Sequence, residues 1–296
     1  MTLCNVGSWL QFARRETFAL GAFNANTMEQ MQAIVQAAEE ERAPAIIQVS
    51  HNALRYVGGG SEVRGLQYMA ELGKVAARQV TVPVGLHLDH AHEREVLQAI
   101  ALGFTSVMFD GATLPFAQNV ATTRRLCEIS HAAGVFMEAE VGEVPRAGQP
   151  GAEERRSDLT DPRAAAEFVR ATGVDALAVA IGSLHGVKEK RVELDLERLE
   201  AIRAVVDVPL VLHGSSGVTD EHIAAGIRRG LCKINVATQL NKAFTAAVRA
   251  TLAEDAQMVD PRKYLDPARD AMKEAARERL RFVGAAGRVH SGPGKR

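Results

Sequence analysis

Short apolar runs alternate with longer segments in which apolar residues recur every three or four positions. The runs are ALGAFNA from Ala19, APAIIQVS from Ala43, VPVGLHLDH from Val82, TSVMFD from Thr105, GVFMEAEVG from Gly134, ALAVAIGS from Ala176, VPLVLHGSS from Val208 and KINVAT from Lys233. Near-continuous apolarity over so few residues is what strands covered on both faces of a parallel sheet require. The intervening segments read as helices. Met28–Arg42 carries the helical spacing, and Thr160–Gly173 has a polar cap candidate, an early Pro and a terminal Gly. Eight strand–helix beats in 296 residues predict an α/β fold, a closed (β/α)8 TIM barrel with extra C-terminal helices. An open doubly wound sheet is the alternative, but no G-x-G-x-x-G follows an early strand. The expected organisation is one barrel domain over 1–296, with 239–284 as a helical extension packed on the barrel or on a neighbouring subunit. Pro145–Ser157, rich in Gly, Pro and charge, reads as a long mobile loop after strand five.

In such a barrel the carboxyl ends of the strands build the active site. Polar residues fall there on every strand: Asn24, Ser50 with His51, Asp89 with His90, Asp110, Glu138 with Glu140, Ser183 with His185, His213, and Asn235 with Thr238. Core packing gives no reason for that distribution. His90, His185 and His213 come from three strands and can converge on one ion, leaving a position open for substrate, which is the pattern of catalytic zinc. Imidazole ligands favour zinc, while Co, Mn and Fe stay open. Any one of these histidines alone reads as an ordinary polar side chain; their joint placement reverses that reading. His51 is a weaker competitor, His87 shares a face with Asp89 inside strand three, His92 starts a helix, and His131, His222 and His290 read as solvated. Asp89 points into the mouth beside the cation, where a lowered pKa suits a proton acceptor; supporting a ligand histidine is its other reading. The HGSSG run (His213 to Gly217, with Gly214, Ser215 and Ser216) and NVAT (Asn235 to Thr238) each precede a helix. They follow strands seven and eight, where such barrels bind phosphate on backbone N–H groups.

Composition narrows the class. The chain is 47% hydrophobic and 24% charged, with a formal net charge of -1, so it is globular and has no bulk attraction for nucleic acid or an anionic membrane. Cys4, Cys127 and Cys232 are scattered and form no C-x-x-C pair, which suits a reducing compartment. No run reaches the roughly 20 apolar residues of a membrane helix, and the first residues do not read as a signal peptide. A cytoplasmic protein is expected.

These residues together resemble the class II, metal-dependent ketose-bisphosphate aldolases, the fructose- and tagatose-bisphosphate enzymes. The matching stretches are AFNANTMEQMQAI, HLDH, GFTSVMFDGATLPFAQNV, EAEVG, LAVAIGSLHG, PLVLHGSSGV, KINVAT and DPRKYLDPARDAMKE, and they span nearly the whole chain. The resemblance implies zinc on His90, His185 and His213, with Asp89 as the catalytic aspartate. It implies dihydroxyacetone-phosphate contacts at Gly186, Gly214, Ser216, Asn235 and Thr238 with Ala237 between the last two, Asn24 and Ser50 lining the same pocket, and a monovalent cation (Na+ or K+) near the phosphate. The implied reaction is reversible cleavage of a ketose 1,6-bisphosphate, fructose favoured and tagatose a close second, in a homodimer or homotetramer. The family's second base is a Glu in the loop after strand five. Relatives usually follow E-L-G with a G-G-x-E-D segment, whereas this chain reads EVGEVPRAGQPGAEERRSD. Glu143, Glu153 and Glu154 are all candidates there, with Glu153 or Glu154 preferred. Ala91 stands where a Gly usually follows HLDH. A Schiff-base mechanism is disfavoured because Lys188 and Lys190 lie beyond strand six and Lys233 is placed at the wrong end of strand eight. A non-catalytic aldolase-like binding subunit is the rival from another class.

Overall fold

The computed structural model describes residues 3–152, 156 and 158–293. Eight parallel strands close into one barrel in chain order: β1 Leu20–Asn24, β2 Ala45–Ser50, β3 Val84–Ala91, β4 Ser106–Phe109, β5 Phe136–Val141, β6 Ala176–Val179, β7 Leu210–Leu212 and β8 Leu231–Val236. Each lies inside its predicted run except β3 and β8, which extend past theirs by one residue and two residues. The strands are buried almost throughout, because the inner face is filled by side chains and the outer face by helices.

Eleven helices are found among the described residues: α1 Gly7–Glu16, α2 Met28–Glu40, α3 His51–Val57, α4 Glu62–Arg78, α5 Glu93–Ala101, α6 Phe116–Ala132, α7 Pro162–Thr172, α8 Leu196–Arg203, α9 Asp220–Arg228, α10 Thr238–Glu254 and α11 Pro261–Phe282. Local chemistry sets their ends. The Thr27 hydroxyl accepts from the Gln30 N–H to start α2. Asp161, one residue later than the sequence suggests, caps α7, which stops at Gly173 in the left-handed region at φ 71°. Helix α1, which the sequence pattern does not announce, buries Trp9, Leu10 and Phe12 against the barrel. Beneath it, Gly85 has no room for a side chain, since a Cβ there would lie 2.3 Å from Val6.

Helices α10 and α11 follow the last strand. Helix α11 packs on α2 and α10. Glu41, at the C-cap of α2, accepts from Arg277 Nε at 2.7 Å and Arg281 Nε at 2.9 Å. Across the helix, Arg279 pairs with Asp220 of α9 at 2.9 Å. Acidic groups at the end of α2 oppose its dipole, so the arginines supply the charge that this helix terminus favours. All three cysteines are free, and burial pushes the thiols up to about 11 for Cys4 and Cys232 and about 12 for Cys127, away from reactive thiolate. No helix among the described residues is long and apolar enough to cross a membrane.

Burial acts to raise the Glu41 pKa, but the two arginines outweigh it and hold the carboxyl below its usual value. A depressed folded-state pKa stabilises above the unfolded pKa of about 4.3 and loses that contribution as pH falls. Glu41→Gln is expected to cost about 1 kcal/mol at pH 7 in urea unfolding. The gap between variant and wild type should close in acid; a gap independent of pH would assign the cost to packing.

Candidate active site

Asp89 and His90 are adjacent in sequence, so strict alternation would send them to opposite faces of β3. The register of β3 on β4 shifts between Leu88 and Ala91, and His90 takes a left-handed φ of 48°. That bulge places both side chains at the mouth. Ala91, flagged as a departure from the usual Gly, is fully buried and pairs with Phe109, so the unusual backbone falls on the residue before it.

His90, His185 and His213 meet there. Their ring centroids are 4.7 to 5.9 Å apart, and one nitrogen from each lies within 4.8 Å of the others. His90 Nε2 and His185 Nε2 are buried without a hydrogen-bond partner, and His213 Nδ1 makes no hydrogen bond but lies 3.3 Å from Glu140 Oε2. The opposite nitrogens of two rings are held by carboxylates: His90 Nδ1 by Asp110 Oδ2 at 2.7 Å, and His213 Nε2 by Glu138 Oε1 at 2.9 Å. This is the support that turns a histidine's second nitrogen toward a metal. His90, Asp110 and Glu140 also pass the distance test for an ion, although Asp110 Oδ2 is already engaged by His90.

The protonation pattern follows from the surroundings. Burial lowers the His213 pKa, but Glu138 and Glu140 overcome it and raise the imidazole to about 10. Burial, then the charges of His90 and His213, push His185 down to about 3. Asp89 is 4% exposed, and burial would raise its pKa; His90, His213 and Lys233 outweigh that and keep the carboxyl ionised at neutral pH. Its Oδ1 accepts from Asn235 Nδ2 at 3.3 Å.

Asp89, His90 and His185 line a cavity of about 480 Å³ at the carboxyl ends of the strands, and His213, fully buried, precedes the lining residue Gly214. Asn24, Ser50, Gly186, Gly214, Ser215, Ser216, Asn235, Ala237 and Thr238 all line it. The Ser215 hydroxyl is committed to the Asn235 carbonyl, tying the two loops together and leaving Ser216 as the more available of the pair. Thr238 opens α10, so that helix presents its N-terminus to the same space. Glu143 also lines the cavity, whereas Glu153 and Glu154 lie outside the described residues. The loop's start is anchored rather than loose: Ala147 N–H donates to His185 O, and His185 N–H donates to Pro145 O, both at 2.9 Å.

His51 lines the cavity but is drawn to Glu95 at 2.7 Å, and His92 is the N-cap of α5. His87 is fully buried, with Nδ1 2.7 Å from Ser106 Oγ. His131 pairs with Asp175, and His222, half-buried rather than solvated, accepts from Leu194 N–H.

Lys233 corrects the sequence reading. It is the third residue of β8, buried inside the barrel, with Nζ 2.8 Å from Glu138 Oε2 and 3.4 Å from His87 Nε2. Two-residue alternation puts it on the same face as Asn235, one layer below the mouth. It is not among the cavity-lining residues. The supporting roles of Asp110, Glu138 and Lys233 were not assigned from sequence. The available signal was parity: Glu138 and Glu140 share a face of β5, as Lys233 and Asn235 share a face of β8.

Comparison with known proteins matches this architecture. Residues 4–288 match the model of the class-II fructose-bisphosphate aldolase family. The chain is 41% identical over 291 residues to a fructose-bisphosphate aldolase of Geobacillus stearothermophilus, covering 98% of this chain and 99% of that one. It is 42% identical to the fructose-bisphosphate aldolase of Thermus caldophilus, with 95% and 97% covered. The crystal structure of the YdjI aldolase from Escherichia coli K12 superposes with a TM-score of 0.83 at 32% identity, covering 97% of this chain and 99% of that one. The chain belongs to the class-II fructose-bisphosphate aldolase family.

Removing one member of a buried pair leaves the other charge uncompensated. Lys233→Met is therefore expected to destabilise by about 3–5 kcal/mol in urea unfolding. Adding Glu138→Leu should recover part of that loss. A fully stable K233M protein would contradict the pairing.

Proposed function

We propose that the protein is a metal-dependent lyase that reversibly cleaves a ketose 1,6-bisphosphate, fructose favoured over tagatose, into dihydroxyacetone phosphate and glyceraldehyde 3-phosphate. The observation that carries this reading is three imidazoles that bring one nitrogen each within 4.8 Å of one another, beside an ionised aspartate at the floor of one cavity. Family membership supports the same chemistry.

The donor set fits a divalent metal. Buried polar atoms without partners are costly, and the neighbouring carboxylates make a cation favourable at this point. His90 Nε2, His185 Nε2 and His213 Nδ1 would hold it, and zinc is the choice that imidazole ligands favour. When bound, such a metal supplies Lewis-acid polarisation of a carbonyl oxygen. The named relatives are called fructose-bisphosphate aldolases, which is why fructose is favoured here.

The remaining work falls to the chain's own residues. The loops at Gly214–Ser216 and Asn235–Thr238 offer backbone N–H groups and hydroxyls to a phosphate, with Gly186 beside them, and the start of α10 favours its charge. A monovalent cation (Na+ or K+) near that phosphate belongs to the same proposal. Asn24 and Ser50, on the adjoining strands β1 and β2, position the sugar. Asp89 takes the proton from the C4 hydroxyl in cleavage and returns it to the aldehyde oxygen in condensation, while the electron pair of the broken C3–C4 bond stays with the three-carbon fragment. Asn235 fixes the Asp89 carboxylate for that transfer. The proton delivered to the three-carbon fragment falls to a glutamate of the strand-five loop: Glu153 or Glu154, preferred from sequence, or Glu143, which lines the cavity.

Purified protein supplied with zinc is expected to cleave fructose 1,6-bisphosphate in a coupled assay, with tagatose 1,6-bisphosphate as the comparison. Chelator should abolish turnover and zinc restore it. Borohydride with substrate should leave activity intact. No turnover of either ketose despite bound metal would favour the binding-subunit alternative. Asp89→Ala should keep its metal, read by elemental analysis, and lose turnover by about 10²–10⁴-fold; near-normal turnover would remove Asp89 from the proton-transfer role.

A further inference from the structure

Asp89, Asp110, Glu140 and Glu143 line the cavity, with Asp110 paired to His90 and Glu140 to His213, and Arg146 is the one lysine or arginine among the described lining residues. A phosphate monoester seated away from the histidine rings needs compensating positive charge of its own. Backbone N–H groups and a helix N-terminus contribute only partial charges toward it.

Arg146 lies in the segment that departs from the family pattern; its side chain is exposed, while its backbone is fixed in place. A parallel bridge pairs Arg146 with His185, flanked by the two backbone hydrogen bonds between Pro145, Ala147 and His185. Paired residues of a bridge send their side chains to the same side, and both line the cavity. Gly186 follows His185 with a left-handed φ of 75°, and a Cβ added there would lie 3.7 Å from Arg146 Nη1. The guanidinium is thus held over a glycine of the expected phosphate cradle. At Gly214 there is no room for a side chain at all, since a Cβ there would lie 2.6 Å from the Leu184 carbonyl carbon. Among the described residues Arg146 has no ion pair and no side-chain hydrogen bond, although its five N–H donors suit a phosphate.

We propose that Arg146 is the cationic contact for the substrate phosphate seated at Gly186, Gly214 and Ser216, a binding residue supplied by the strand-five loop of this chain. The proposal rests on the aldolase reading for the identity of the substrate. It does not rest on that reading for the phosphate itself. One face of the site would then serve two ends of the reaction, with His185 reaching toward the metal position and its bridge partner reaching toward the phosphate.

The test uses the zinc-supplied full-length protein and three variants: Arg146→Gln, Arg146→Lys and a surface control, Arg249→Gln. Inorganic phosphate binding is measured by calorimetry, and KM and kcat for fructose 1,6-bisphosphate by coupled assay. Arg146→Gln is expected to weaken phosphate binding by about 10- to 100-fold, with most of the kinetic loss on KM. Arg146→Lys should recover only part, because an ammonium keeps the charge but not the planar fork. Affinity for unphosphorylated dihydroxyacetone, zinc content and the unfolding midpoint should match wild type. Phosphate affinity unchanged in Arg146→Gln, or an equal loss toward dihydroxyacetone, would overturn the assignment, as would a wild type that binds no phosphate. A wild type that binds phosphate through Arg146 yet cleaves neither ketose would sustain the assignment and sink the aldolase reading instead.

Discussion

A carboxylate sealed inside a barrel must be paired, and Glu138 is paired twice. Lys233 neutralises one oxygen from below and His213 Nε2 engages the other. That second contact settles which nitrogen of His213 turns to the cavity, and Asp110 does the same for His90. The poses of these two rings are therefore fixed by carboxylates, Glu138 sealed below the cavity and Asp110 at its edge. Buried ion pairs of this kind contribute little net stability, because desolvating both partners opposes their attraction. Their consequence here is orientation: the His90 and His213 rings are each held in one pose.

Backbone irregularity does comparable work in β3. A regular strand could offer either Asp89 or His90 to the mouth. The bulge, with His90 at a positive φ, offers both. Positive φ is uncommon for a residue with a side chain, and it persists where surrounding structure enforces it. The hydrogen bond to Asp110 and the pairing of Ala91 with Phe109 supply that enforcement. Asp89 and His90 thus become neighbours at the mouth through one local departure from the strand.

Much of this was legible in the sequence. Eight apolar runs gave the strands to within two residues at most ends, because residues buried on both faces leave a clear signature. The three histidines and Asp89 stood out because they fall at or beyond the carboxyl ends of apolar runs, although β6 itself stops at Val179, well before His185. Lys233 was misplaced because the start of β8 was read two residues late, which put a buried lysine at the strand's edge. Asp110 and Glu138 were visible at strand ends, but their partners depend on side-chain reach across the barrel, which periodicity does not encode. The anchoring of the strand-five loop was hidden for the same reason, since its hydrogen bonds are backbone contacts to β6's following loop and carry no sequence mark.

The account stands on one ion shared by three strands. Diffraction from zinc-soaked crystals, collected on both sides of the zinc absorption edge, tests this most directly. The account predicts a single strong anomalous peak at the cavity floor, about 2.0–2.1 Å from His90 Nε2, His185 Nε2 and His213 Nδ1. Zinc seated elsewhere, or none within reach of all three rings, would contradict it.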